Sequence, residues 1–202
     1  MDKAVTAYST IQADPPWPER GGGKIKRGAD RHYPLLKIDD IPRVMLTSPL
    51  WKPAQDAHLY LWVTDNYLPD GIWVMRQLGF RYVRTLPWIK LKNEAFNEPD
   101  EGWLEWKTPA GLFEGLMKFG IGQYFRGASE LLLFGVRGTG YNVCTERKDL
   151  CNVIIGPRGK HSKKPDAAYD LIEARSKGPY LEIFARTQRE GWDSWGNELP
   201  VC

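Results

Sequence analysis

In a chain of 202 residues, Ala13-Asp14-Pro15-Pro16-Trp17 gathers residue types that can do chemistry on a flat nitrogenous ring. Asp14 offers a carboxylate and Trp17 an aromatic face. Pro15 and Pro16 lack a backbone N–H and stiffen the chain, so the Pro15 carbonyl is a ready acceptor. An amine on a heteroaromatic ring is a weak nucleophile because its lone pair is delocalised into the ring. A carboxylate and a carbonyl that accept its two N–H groups favour the pyramidal geometry in which that lone pair points at an electrophile. The set suits in-line transfer of a sulfonium methyl to a base amine, with catalysis by positioning and by electrostatics aimed at the transition state. Asp-Pro-Pro is also an ordinary turn and Trp often caps a core, so the pentapeptide alone does not decide.

Such a group needs a scaffold. Tyr8–Ala13 reads as a strand ending at Asp14, which places the carboxylate at the carboxyl edge where open α/β sheets bind ligands. Leu35–Trp51 reads as a broken helical region punctuated by Pro42 and Pro49. His58–Thr64 is a continuous apolar run, a buried strand. A helix follows, with Pro69 in its first turn, Leu68, Ile72 and Met75 on one face, and Gly79 as its stop. Tyr82–Lys90 and Ser129–Arg137 are predicted to pair as a hairpin, and Val153–Ile155 is a short strand. A helix then enters through Pro165, carries Ala168, Leu171, Ile172 and Arg175 on one face and stops at Gly178; Tyr180–Arg186 is the last strand. This order predicts one α/β domain over residues 1–202.

Two segments look substrate-facing. Residues 18–32 are glycine-rich and basic, so Lys24, Lys26 and Arg27 can track phosphates, and Tyr33 can stack on a base. Residues 91–127 are irregular but aromatic, including Trp103, Trp106, Tyr124 and Phe125, which argues for a flap rather than a disordered tract. Lys163 and Lys164 precede a helix start, where the dipole disfavours cations. That placement predicts a bound anion there, either a cofactor carboxylate or a nucleic-acid phosphate. Gly191–Glu198 reads as a ribose contact or as a C-terminal turn.

Composition sets bounds. A net charge of +3 permits a nucleic-acid partner without demanding one. The three cysteines, Cys144, Cys151 and Cys202, have no metal-ligand spacing, so the reading is a reducing cytoplasm with neither disulfide nor metal site. No apolar run has signal-peptide or membrane length, so no membrane partner is expected.

Taken together, Ala13–Trp17, Tyr33, Leu59–Thr64, Ser129–Gly138, Ser162–Pro165, Glu182–Arg186 and Gly196–Glu198 resemble the adenosine methyltransferases of the MT-A-seventy family, above all their small bacterial and phage members. The likeness spans nearly the whole chain. It implies a Rossmann-like methyltransferase fold in permuted, beta-class order, with a mostly parallel central sheet and helices on both faces. It also implies an enzyme that uses S-adenosyl-L-methionine to methylate the N6 amine of adenine, in DNA by its likeness to the small prokaryotic members. A homodimer or a partner subunit is open, since the sequence does not give the oligomeric state. Asp14, Pro15, Pro16 and Trp17 would be the catalytic motif, with Tyr33 near the target base. Asp14, Lys164 and Arg186 would lie around the cofactor, and Asn197 and Glu198 at its ribose. Longer members carry a segment before the catalytic strand that contacts the cofactor adenine; only a few residues precede Tyr8, so that pocket is unassigned. They also have an amide where this chain has Glu198, and a carboxylate can still hold a ribose. The alternatives are methylation of adenine in RNA, methylation of cytosine, and a catalytically silent nucleic-acid-binding partner.

Overall fold

The structure, a computed structural model, describes residues 7–18, 35–93, 116–120, 124–159 and 163–199. Its strands are β1 (Tyr8–Ala13), β2 (Pro53–Val63), β3 (Arg81–Leu91), β4 (Ser129–Arg137), β5 (Ile154–Pro157), β6 (Tyr180–Ile183) and β7 (Trp192–Trp195). Its helices are α1 (Asp40–Leu46), α2 (Leu68–Gln77) and α3 (Asp166–Arg175). The strands form one sheet in the order β5-β3-β4-β2-β1-β6-β7. Every neighbouring pair is parallel except the two made by β4, which runs against β2 and β3. The predicted hairpin is therefore present, from Arg81 opposite Val136 to Ile89 opposite Ser129.

The apolar run of β2 is long because both of its faces are covered. Leu59, Leu61 and Val63 pack with Ile41 and Met45 of α1 and with Val74 and Met75 of α2. Tyr60 and Trp62 point the other way, into a cluster with Ala168 and Ile172 of α3. Helices thus lie on both faces, as the Rossmann-like reading requires. Gly79 stops α2 as expected: at φ +80° it lets its own N–H reach Arg76 O and the Phe80 N–H reach Met75 O, which satisfies two otherwise orphaned carbonyls.

The structure departs from the expected elements at three places. The last strand ends at Ile183, not Arg186, because Phe184 takes a left-handed φ of +64° and turns the chain out of the sheet. Trp192–Trp195, expected as part of a ribose contact or turn, is an edge strand beside β6. Helix α3 ends at Arg175, before Gly178, because Ser176 is already extended. Of the predicted flap, Leu116 and Lys118 are tied to β3 through Lys92 N to Leu116 O and Lys118 N to Lys90 O, 2.8 Å each. Residues 94–115 and 121–123, and the basic loop with Lys24, Lys26, Arg27 and Tyr33, lie outside the described residues.

Candidate active site

Asp14 follows the last residue of β1, between the ends of β2 and β6, and the diproline keeps it from continuing in the sheet. The motif is fastened at several points. Trp17 N donates to Pro15 O at 2.9 Å, and Leu36 N donates to Pro16 O at 2.9 Å. Neither proline carbonyl is therefore idle, contrary to the expectation from the missing proline N–H groups. A carbonyl has two lone pairs, so Pro15 O keeps one for a ligand. Trp17 is only 9% exposed; its Nε1 donates to Trp62 O at 2.8 Å, and its ring stacks on Tyr67 at 5.4 Å. The indole expected as a base platform thus already has one face covered and its N–H used.

The carboxylate of Asp14 meets Lys164 Nζ at 3.1 Å and Arg186 at 3.7 Å. Lys164, brought in just before α3, also pairs with Glu130 at the start of β4. Glu130 in turn pairs with Lys90 of β3 at 2.9 Å, and Arg186 with Glu198 at 3.6 Å. The result is an alternating chain, Lys90–Glu130–Lys164–Asp14–Arg186–Glu198, with three charges of each sign. It explains the lysines that precede α3: the anion expected at Lys164 is supplied by two of the protein's own carboxylates. Lys163, by contrast, pairs with Asp166 at 3.5 Å on the surface.

Burial opposes ionisation throughout this cluster, and the partners decide the outcome. For Asp14, loss of hydration pushes the carboxyl above its ordinary value, more than Lys164 and Arg186 together restore, and the nearby charge of Glu130 adds to the rise. For Glu130, burial also raises proton affinity, but Lys164 and Lys90 outweigh it and hold the carboxyl below the usual range. Burial works against the Lys164 ammonium, yet Asp14 and Glu130 keep its proton bound more tightly than usual. Glu130 and Lys164 thus stay charged, and Asp14 is the carboxylate with the stronger pull on a proton.

A second polar group lies on the same face. Gln12 and Glu182 are opposite each other in β1 and β6, and Tyr169 of α3 donates to Glu182 at 2.8 Å. Burial raises the proton affinity of Glu182. Among the described residues, buried polar atoms without a partner include Gln12 Oε1 and Trp62 Nε1, and the Trp62 ring also lies 5.1 Å from Lys164 Nζ. A ligand that satisfies an unpaired acceptor and an unpaired donor beside a charged cluster fits such a place.

An S-adenosyl-L-methionine molecule presents a carboxylate, an ammonium, a sulfonium and ribose hydroxyls, and the residues at this edge include acids, cations and amides to match. Arg186 follows the Phe184 kink, and Asn197 and Glu198 follow β7, both exposed. Gly196 joins the two stretches: a Cβ there would come 2.1 Å from the Ala185 carbonyl, so only glycine allows this approach. The structure thereby gathers Asp14, Lys164, Arg186 and Glu198, with Asn197 next in sequence to Glu198. The sequence reading missed Glu130 and Lys90. Glu130 did carry a signal, a carboxylate opening an otherwise apolar strand. Among the described residues no helix is long and apolar enough to cross a membrane, and no His, Cys, Asp and Glu group could hold a metal ion.

Comparison with known proteins gives a consistent picture. The family model MT-A70 matches residues 8–198. The Type II methyltransferase M.MunI of Mycoplasma sp is 26% identical over 96% of this chain and 78% of its own length. The human N(6)-adenosine-methyltransferase catalytic subunit METTL3 is 26% identical over 95% of this chain, which spans 28% of that protein. The N6-methyladenosine RNA methyltransferase MTA1 of Cryphonectria parasitica is 29% identical over 95% of this chain and 52% of its own length.

Proposed function

The chain belongs to the MT-A70 family, and from that premise we propose that it transfers a methyl group to the N6 amine of adenine in DNA. The observation that carries this reading is the placement of Asp14: a largely covered carboxylate of raised proton affinity, held by Lys164 at the carboxyl edge of the sheet next to Pro15. S-adenosyl-L-methionine, when bound, supplies an electrophilic methyl on a sulfonium. Asp14 accepts a hydrogen bond from one amine N–H, and the remaining lone pair of Pro15 O accepts one from the other. As the N–CH3 bond forms the S–CH3 bond breaks, leaving the cofactor as its thioether, and the methylated nitrogen then gives up one proton to water or Asp14. Lys164 and Glu130 do not touch the base; they orient Asp14 and balance its charge. Arg186, Asn197 and Glu198 hold the cofactor from the β6–β7 side. The adenine must leave its stack to reach this edge, because its amine is otherwise paired.

Nucleic acid as the substrate is supported by Tyr124 and Phe125, which are 93% and 90% exposed, stand next to Arg126 and precede Glu130 by only a few residues. Adjacent exposed aromatics with a cation are a stacking surface for unpaired bases. DNA is favoured by the likeness to small bacterial members and by M.MunI, whose length this chain largely covers. RNA is the second reading, favoured by METTL3 and MTA1.

The test incubates the protein with methyl-labelled cofactor and adenine-bearing DNA or RNA, single- and double-stranded. N6-methyladenine should appear in DNA, and Asp14→Asn should lower the rate on the order of 10²- to 10⁴-fold with unchanged circular dichroism. Label only in RNA selects the second reading; label in cytosine, or in neither polymer, rejects the adenine assignment.

A further inference from the structure

On the α3 face of the sheet, away from the catalytic edge, the structure holds a cavity of about 320 Å³. Its walls include Tyr60, Phe134 and Leu171, and its polar lining includes Arg84, Arg175 and Asn152. Phe134 lies opposite Tyr60 in β2 and Arg84 in β3, four residues along β4 from Glu130. At about 3.3 Å per residue the cavity is roughly 13 Å from the ion-pair chain. It is a separate site.

Three features give it a chemistry. The first is unpaired positive charge. Neither the Arg84 nor the Arg175 guanidinium makes a hydrogen bond or ion pair among the described residues. The acid that feels Arg175 is Asp149, and Asp149 is already held by Arg147 through two bonds of 2.7 Å. The second is flat apolar surface, from Tyr60 and Phe134, whose ring centroids are 5.1 Å apart. The third is an amide: Asn152 donates to Thr85 O at 3.1 Å, which leaves its oxygen as an acceptor toward a ligand. A β-bulge lies between Tyr82 and Arg84, where β3 slips against β4. Bulges of this kind re-aim a side chain and are frequent beside binding sites.

A cavity of this size is at the low end of the range for small ligands, about 300–1,000 Å³. Two guanidinium groups in one lining select phosphate, aromatic walls select a planar ring, and an amide oxygen accepts from an exocyclic amine. We propose that this cavity binds a single nucleotide, either a free mononucleotide or one unpaired nucleotide of a strand, at a place distinct from the methyl-transfer site. The assignment does not depend on the catalytic reading.

Cys151 is exposed and lines the same cavity, so it reports occupancy directly. The experiment follows maleimide modification of Cys151 by peptide mass spectrometry in the full chain, with S-adenosylhomocysteine saturating the cofactor site. The probes are adenosine 5′-monophosphate, adenosine, inorganic phosphate and a short single-stranded oligonucleotide. Adenosine 5′-monophosphate or the oligonucleotide should slow modification, while adenosine and phosphate alone should do so far less. Protection by the mononucleotide assigns a free ligand, and protection by the oligonucleotide alone assigns a strand. Arg84→Gln, a change at an exposed side chain, and Arg84→Gln with Arg175→Gln should raise the concentration needed by at least about tenfold. The single variant keeps the test valid if the double variant does not fold. No protection by either nucleotide form, or equal protection in the arginine variants, overturns the proposal.

Discussion

Lys164 Nζ stands 3.1 Å from Asp14 Oδ1, with the two side chains 8% and 16% exposed. An isolated lysine at that depth would lose its proton, and an isolated aspartate would gain one. Each keeps the other in place, and Glu130 takes the remaining charge of the ammonium. Asp14 is thus held by an ion-pair chain, well covered at its centre and exposed at Glu198, that draws one residue from each of six separate parts of the sequence.

Removing Lys164 takes the shared cation from Asp14 and Glu130, which keep only Arg186 at 3.7 Å and Lys90 at 2.9 Å respectively. Lys164→Met should cost about 3–5 kcal/mol in urea unfolding. Adding Glu130→Gln should return part of that loss, because the under-compensated charge beside Asp14 is removed. Independent, additive effects of the two substitutions would contradict the shared-lysine arrangement.

Asp14 has a raised proton affinity in the folded chain. The folded state therefore keeps a proton that the unfolded chain gives up at lower pH, and stability falls as pH rises from the ordinary carboxylate value through the folded one. Asparagine mimics the protonated form. At neutral pH Asp14→Asn should melt no lower than the parent protein although its activity is lost. A melting temperature several degrees lower would show that the charge stabilises the fold.

His58 is fully buried, with Nδ1 against Ser176 Oγ at 2.7 Å and Nε2 against Gly140 O at 2.8 Å. Burial lowers its pKa from 6.5 to about 4, and Arg175 acts in the same direction. The unfolded chain then binds the extra proton first on acidification. His58 should contribute stability that is fully present above pH 6.5 and declines by about 1.4 kcal/mol per pH unit down to about pH 4. Ring NMR titration locates the pKa, and urea melts at several pH values, compared with His58→Gln, give the slope.

Tyr124 and Phe125 have little protein to lose contact with. Tyr124→Ala and Phe125→Ala should leave thermal stability within about 0.5 kcal/mol of the parent. Each should weaken single-strand binding by about 1–3 kcal/mol, measured by fluorescence anisotropy, if a base stacks on it. Unchanged affinity in both variants would remove them from the nucleic-acid surface.

Local patterns were legible in the sequence because they depend on neighbours in the chain. Tyr8–Ala13 alternates little and is β-branched at its centre, the diproline ends it at Asp14, and Gly79 supplies the positive φ that closes α2. The family likeness rested on such blocks in order. What the sequence hid was where a strand departs from its own propensity. Nothing in Phe184 favours a left-handed φ; the Ala185 N bond to Trp195 O at 3.0 Å and the packing of Phe184 beside Trp195 impose it.

The sequence by itself determined that an acid would sit at the end of a buried strand, next to a rigid turn. Only the tertiary structure decided what that acid meets. Strand order puts β4 beside β2 and β6 beside β1, and that adjacency delivers Glu130 and Arg186 to the same edge as Asp14 and Lys164. Coulomb attraction acts over a few ångströms of space, whatever the separation along the chain, so the partners of Asp14 are fixed by packing and cannot be read from spacing.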